Sequence, residues 1–198
     1  MSYAIIGAGS IGSALAKQFS RNGINVMLAN SQGPASLAAK IGEWGPTVKA
    51  VSLDHALMAD IVILAIPFEA VPKAGSSIRD WEGRVVVDPT NAIEFPAFKP
   101  MNLAGKASTE IVAAALPGAK VVKAFNTIPA AILAADPAEH GGRRVVFVSG
   151  NDSDANKVVS DLIGRLGFAP ITLGSIASGT PVQQFGGPLV AQDLILMK

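Results

Sequence analysis

Short apolar runs alternate with amphipathic stretches along the whole chain. Tyr3-Ala4-Ile5-Ile6, Ile24 to Ala29, Val48 to Leu53, Ile61 to Ala65, Val85-Val86-Val87, Val121 to Ala124, Arg144 to Ser149 and Ala169 to Leu173 all have strand length. Ile61-Val62-Ile63-Leu64-Ala65 is apolar at every position, as a central strand buried on both faces requires. Helical periodicity fills the gaps. From Ser10 to Asn22, Ile11, Leu15 and Phe19 recur at four-residue spacing, and Gly23 stands where a left-handed C-terminal residue belongs. Pro34 opens a short helix, Asp54 caps another that runs through Met58, and Ser108 caps one carrying Ile111, Val112, Ala115 and Leu116, stopped by Pro117-Gly118. The longest stripe starts at Asp152 or Ser153 and carries Ala155, Val158, Val159, Leu162, Ile163 and Leu166 up to Gly167. The tail from Gly174 to about Pro188, rich in Gly, Ser, Pro and Gln, reads as loop. Trp44 and Trp81 fall in loop-like segments beside Gly45 and Gly83. The alternation predicts an α/β chain with a doubly wound parallel sheet covered on both faces.

The joint between the first strand and the first helix carries chemistry. Gly7-Ala8-Gly9-Ser10-Ile11-Gly12 is G-x-G-x-x-G placed after a strand and at the opening of a helix. Gly7 permits the tight turn, Gly9 leaves the main chain bare where a pyrophosphate must approach, and Gly12 lets the helix pack closely on the sheet. The first helical amides, at Ser10 and Ile11, then point at the phosphates. The fold is therefore a Rossmann-type doubly wound parallel sheet. Residues 1–125 form its dinucleotide-binding domain, and residues 126–198 a small C-terminal α/β extension packed on the same sheet.

The second strand ends in Ala29-Asn30-Ser31-Gln32-Gly33-Pro34, with no carboxylate in the window where an NAD site places one on the ribose. Neutral Asn30, Ser31 and Gln32 can donate hydrogen bonds to a 2′-phosphate, so the segment favours NADP(H); the bland alternative is a polar loop after a strand.

Composition narrows the class. Hydrophobic residues make up 49% of the 198 and charged residues 16%, enough apolar content for a sizeable core. A net charge of +1 without a basic cluster predicts no nucleic-acid partner. No apolar stretch reaches the ~20 residues of a membrane span. Cysteine is absent, which excludes disulfides, thiolate metal sites and a Cys nucleophile. The chain starts on a strand without a signal-like segment. Together these predict a soluble cytoplasmic protein, with a homodimer as the default assembly.

Candidate catalytic groups are few. His55 and His140 lie in surface-like segments far apart in sequence and build no metal site. There is no G-x-S-x-G elbow. Asp88, in Asp88-Pro89-Thr90-Asn91, sits at the carboxyl end of a strand, where it can face a ligand or cap its own turn. Lys123 can meet an anion or lie at a sheet edge. Asn126 and Thr127 follow a strand directly and can donate hydrogen bonds into the cleft, a site role favoured over simple turn formation, whereas Phe125 reads as core. Pro67 and Phe68 wall a cleft or merely end a strand. Gly186-Gly187 lets backbone approach a flat ring or is a plain loop. Hydride transfer between stacked rings needs positioning more than a protein acid or base, and no catalytic residue is assigned.

With these segments in view, the chain resembles the NADP oxidoreductases dependent on the 8-hydroxy-5-deazaflavin coenzyme, and the dinucleotide-binding reductases grouped with them. The resemblance is carried by Gly7 to Gly12, Asn30 to Pro34, Ala65-Ile66-Pro67-Phe68-Glu69-Ala70-Val71, Asp88 to Asn91, Lys123 to Thr127, Gly150-Asn151-Asp152, Leu166-Gly167-Phe168 and Gly186-Gly187-Pro188-Leu189. It implies that Asn30, Ser31 and Gln32 hold the 2′-phosphate, with Gln32 standing where Arg is usual. It implies that Ala65, Ile66 and Pro67 line the adenosine and ribose side, and that Asn91, with Thr90, lies toward the nicotinamide. Asn126 joins the cofactor-binding set. The segments Phe125 to Thr127 and Gly186 to Leu189 would face the hydride partner: a small-molecule acceptor such as the deazaflavin coenzyme, a flavin or a quinone. Ser175 to Thr180 departs from the family in lacking a Gly-Arg pair. Two rival functions stay in view. One is an imine or carbonyl reductase related to pyrroline-5-carboxylate reductase, although the long helical C-terminal domain of those enzymes is missing here. The other is an NADP(H)-binding redox sensor or partner module without turnover.

Overall fold

The computed structural model describes residues 1–76 and 78–197. The first half alternates as expected. β1 (Tyr3–Ile6) leads to α1 (Ser10–Arg21) and β2 (Val26–Ala29). A 3-10 turn (Pro34–Leu37) runs on into α2 (Ala38–Trp44), then β3 (Val48–Ala50), α3 (Leu53–Ala56) and β4 (Ile61–Leu64) follow. After α4 (Val71–Gly75) and β5 (Val85–Asp88) comes a small hairpin of β6 (Ile93–Glu94) and β7 (Lys99–Pro100), which the apolar pattern had not announced. The remainder is α5 (Ser108–Ala114), β8 (Lys120–Ala124), α6 (Ala130–Leu133), β9 (Ala138–Glu139), β10 (Gly142–Gly150), α7 (Ser153–Arg165), β11 (Ala169–Thr172), α8 (Ile176–Gln183) and β12 (Ile195–Leu196).

One sheet runs in the order β11-β10-β8-β5-β4-β1-β2-β3. The strands from β8 to β3 are mutually parallel. Because the chain winds outward from β1 to β3 and then returns to β4 on the other side, the order reverses between β1 and β4. That reversal opens a crevice at their carboxyl ends. Side chains alternate along each strand. Ile5, Leu28, Ile63, Val87 and Val122 pack with α1 and α7 on one face, and Ala4, Ile6, Val62, Leu64 and Val86 pack with α3, Val71, Trp81 and α5 on the other. Both faces are covered, which is why these strands are apolar throughout.

The sheet is mostly, not wholly, parallel: β10 runs antiparallel to β8, and β11 is parallel to β10. A parallel return needs a crossover long enough to carry the chain back along the strand. The only helix between β8 and β10, α6, has four residues, about 6 Å at 1.5 Å per residue. It packs instead on α1, where Gln18 Nε2 donates to the Leu133 carbonyl at 2.7 Å.

Several local expectations are corrected. The segment read as loop from Gly174 contains α8, capped by Ser175 Oγ, which accepts from the Ser178 amide at 3.2 Å. Gly179 and Pro181 mask its periodicity, but Gly179 is required by contact, since a Cβ there would strike the Ser149 side chain. Trp44 ends α2 instead of lying in a loop, whereas Trp81 does lie outside any helix or strand, with its side chain fully buried. Ser52, not Asp54, caps α3 by accepting from the His55 amide at 3.3 Å. Ser108 is the first residue of α5 rather than its cap; the Glu110 carboxylate accepts the Ala107 amide at 2.8 Å.

Candidate functional site

The crevice is a cleft of about 640 Å³ at the carboxyl ends of β1, β2 and β4. Its floor is the glycine loop, and the three glycines act in different ways. Gly7 adopts φ 105°, and a Cβ there would collide with the Ala65 carbonyl. Its amide donates to the Ala29 carbonyl at 2.7 Å, which ties the loop to β2. A Cβ on Gly12 would collide with the Gly7 carbonyl, so this position sets how closely α1 approaches the sheet. Nothing stands within 4 Å of where a Gly9 Cβ would be. Its bareness answers no internal contact and leaves the main chain open to the cleft. Gly9 is also the N-terminal boundary residue of α1, with no side-chain cap, so the amides of Ser10 and Ile11 at the helix start are free of a side-chain acceptor.

Asn30, Ser31 and Gln32 line one end of the cleft, as do Ala65, Ile66 and Pro67 on the β4 side. The Asn30 segment is organised before any ligand arrives. Asn30 Oδ1 accepts the Gln32 amide at 3.0 Å, Asn30 Nδ2 donates to Ser36 Oγ at 2.9 Å, and Ser36 Oγ donates to the Gly33 carbonyl at 2.7 Å. Gly33 takes φ 83°, and Pro34 follows as the first residue of the helical turn.

Three polar cleft residues escaped the sequence reading: Ser36, Lys40 and Lys73. Lys40 Nζ donates to the Ala8 carbonyl at 2.6 Å and to Ser13 Oγ at 3.3 Å, bridging α2 to the glycine loop. The available signal was the four-residue step from Ser36 to Lys40, which puts both on one face of the helical stretch after Pro34. Among the described residues lining the cleft, two are lysines and none is a carboxylate. A polyphosphorylated ligand would enter a cationic cavity.

Asn91 and Asn126 do not line this cavity; they are joined to each other. Asn91 Nδ2 donates to the Asn126 carbonyl at 2.9 Å, and Asn126 Nδ2 donates to Asn91 Oδ1 at 3.1 Å. The juxtaposition follows from Phe125, a buried aromatic held at φ 64°, a conformation costly for a bulky residue. That kink turns the chain at the end of β8 and delivers Asn126 to the end of β5. Asn126 Nδ2 also donates to the Gln183 carbonyl at the close of α8, so the α8 segment overlooked in the sequence completes this corner. Beneath it, Lys123 Nζ contacts Asp88 Oδ2 at 3.0 Å with both side chains fully buried. The two alternatives for Asp88 resolve toward structure: Oδ1 accepts from the Thr90 amide at 2.9 Å, and Oδ2 binds Lys123 and, at 2.7 Å, Thr109 Oγ1. Beyond the corner, Phe98 lies edge-on to Phe95 and Phe185 at ring separations of 5.9 and 5.3 Å, and a Cβ on Gly186 would strike Pro100, so the β6–β7 hairpin and the Gly186-Gly187 turn form one wall.

No grouping of His, Cys, Asp or Glu among the described residues could hold a metal ion. No helix among them is long and apolar enough to cross a membrane.

Residues 2–92 match the family model described as NADP oxidoreductase, coenzyme F420-dependent. A hypothetical protein from Sinorhizobium meliloti is 57% identical, superposes with a TM-score of 0.95, and is matched over 100% of this chain and 96% of its own. A candidate F420-dependent NADP-reductase from Arthrobacter sp. is 28% identical with a TM-score of 0.74, over 89% of this chain and 86% of that one. The metalloreductase STEAP3 of Rattus norvegicus is 28% identical over 181 residues, which are 90% of this chain and 35% of the relative. The chain thus spans about a third of the length of the curated relatives it matches.

Proposed function

We propose that this chain, whose residues 2–92 match the family model described as NADP oxidoreductase, coenzyme F420-dependent, binds NADP(H) in the cleft and passes hydride between it and a flat small-molecule acceptor. The observation that carries this reading is the cleft itself. A bare glycine faces open space at the start of a helix, two lysines line the walls, and no described lining residue is acidic. Those features fit a dinucleotide with an added phosphate better than an uncharged ligand.

In this reading the main chain at Gly9, with the amides of Ser10 and Ile11, takes the pyrophosphate, and Gly7 and Gly12 hold that loop in shape. Asn30, Ser31 and Gln32 take the adenosine ribose end, and Ala65, Ile66 and Pro67 flank it. Asn91 and Asn126 lie along the carboxyl edge toward the nicotinamide. The bound dinucleotide supplies the hydride, so the protein's part is to place two rings in contact and keep water away. The acceptor classes are the deazaflavin coenzyme, a flavin or a quinone. We assign the protein to the cytoplasm, with no nucleic-acid or membrane partner, and to a homodimer.

The test is direct. Purified protein is titrated with NADPH and NADH by calorimetry, then incubated with NADPH and each acceptor in turn while nicotinamide absorbance is followed. Uptake of NADPH with turnover on one of the flat acceptors is the expected result. Uptake without turnover on any acceptor would make the protein a binding module instead, and no uptake of either nucleotide would refute the site.

A further inference from the structure

Resting on the NADP(H) reading above, we propose that Lys40 is the cation with which this chain distinguishes a 2′-phosphorylated nucleotide from its unphosphorylated counterpart. Position 32, a glutamine, carries no charge for that task.

The Asn30–Ser36 cup is built of neutral groups. Asn30, Ser31, Gln32 and Ser36 offer amide and hydroxyl dipoles, and those of Asn30 and Ser36 are already committed to each other, to the Gln32 main-chain amide and to the Gly33 carbonyl at 2.7–3.2 Å. A phosphate dianion in such a cup needs a cation to offset its desolvation. Lys40 is placed to supply one. It lies one helical turn beyond Ser36 on the stretch running from Pro34 through Trp44, and buried Leu37 pins that stretch to the core. Ser36 and Lys40 both line the cleft that Asn30, Ser31 and Gln32 enter.

The charge of Lys40 is also uncommitted. Its ammonium meets only the Ala8 carbonyl and Ser13 Oγ, both neutral, and among the described residues it forms no ion pair, whereas Lys99, Lys120, Lys123 and Lys157 each hold a carboxylate. A lysine has three donors on a flexible four-carbon stem. In this inference Lys40 leaves Ser13 and turns toward the cup when a phosphate occupies it. Lys73, the other cleft cation, stands on the α4 wall with Pro67, Ala70 and Ala74. It is assigned to the general field of the cleft.

Adenosine 2′,5′-bisphosphate and 5′-AMP differ only in the 2′-phosphate, so calorimetric titration with the two isolates that group. Wild type is expected to bind the bisphosphate more tightly. Lys40→Met should weaken the bisphosphate by about tenfold, the loss of one charge-assisted contact, and leave 5′-AMP nearly unchanged. Lys40→Arg should keep the preference. Lys73→Met should leave the ratio of the two affinities as it is in wild type. Thermal melts of each variant confirm that the fold is intact. Equal weakening of both ligands by Lys40→Met would assign Lys40 to the 5′-phosphate end and overturn the inference. So would a fall in the ratio for Lys73→Met as large as for Lys40→Met, because a general field would then explain both. If wild type takes up neither NADPH nor NADH, it is the dinucleotide reading that fails. If it takes them up and Lys40→Met keeps the ratio, only the present inference does.

Discussion

The ammonium of Lys123 lies 3.0 Å from Asp88 Oδ2, and neither side chain has any exposed surface. Lys123 Nζ also donates to the Thr90 carbonyl at 2.9 Å. The pair bonds the ends of β5 and β8 just below the Asn91–Asn126 corner. Removing one partner strands a charge in the core, which costs about 3–5 kcal/mol, whereas replacing both costs far less. Lys123→Met should therefore lose stability on that scale in urea unfolding. The double variant Lys123→Met/Asp88→Asn should recover much of it, since the Asn carbonyl still accepts from Thr90 and its amide nitrogen can donate to the Thr109 hydroxyl, which rotates to accept. A single-variant loss below about 1 kcal/mol would show that the pair is dispensable.

The glycine loop separates two kinds of damage. Gly9→Val should abolish binding of NADPH and NADH while the melting temperature stays close to wild type, because its side chain would fill only open cleft. Gly7→Ala and Gly12→Ala should instead destabilise the fold. A Cβ at either position meets main-chain carbonyls that cannot move aside cheaply, those of Ala65 and Gly7 respectively. Calorimetry beside thermal melts tests both. Unaltered nucleotide affinity in Gly9→Val would remove the pyrophosphate assignment.

The parallel half of the sheet was legible because its strands are buried on both faces and its helices carry four-residue periodicity. Ile61 to Leu64 and the Leu15–Phe19 face leave little choice. The reversal at β10 was not legible, since it depends on how little helix lies between Ala124 and Gly142, a matter of length and packing instead of residue type. α8 was hidden because Gly179 and Pro181 are poor helix formers, and the reason for Gly179 is a distant neighbour, Ser149. In the site, glycine spacing and the missing carboxylate after β2 pointed to the cleft directly. Lys40 did not stand out, because a lysine on a polar helix face looks like any solvated lysine until the fold shows that this face closes over the glycine loop. Asp88 and Lys123 were each ambiguous alone, and only the parallel pairing of β5 with β8 brings them together.

Acid should loosen the end of the sheet opposite the cleft. Asp152 caps α7, its Oδ1 accepting the Ala155 amide at 2.8 Å, and its Oδ2 meets Lys120 Nζ at 2.9 Å. The Lys120 ammonium, followed by the Ala155 amide, holds the Asp152 carboxyl below its ordinary value of 3.8. A carboxylate depressed in the folded state contributes stability that is present above the unfolded value and is lost as pH falls through the folded one. Wild type should therefore lose more melting temperature than Asp152→Asn when pH is taken from 5 to below 3.8. Asparagine keeps the cap but does not titrate. Parallel declines in the two proteins would mean that other carboxylates govern acid stability.

Position 32 offers the complementary experiment to Lys40. Arginine presents a planar fork of donors suited to phosphate, so Gln32→Arg should tighten NADPH by about tenfold and NADH by much less. The substitution adds no buried group, because Gln32 is exposed at the cleft mouth, and stability should not change. If position 32 and Lys40 serve one phosphate, their effects will not add. Gln32→Arg in a Lys40→Met background should restore most of the lost NADPH affinity, and Lys40→Met should cost less once Arg is in place. Comparable gains for NADPH and NADH, seen by calorimetry, would place the new guanidinium on the pyrophosphate and would argue that the Asn30–Ser36 cup does not receive the 2′-phosphate.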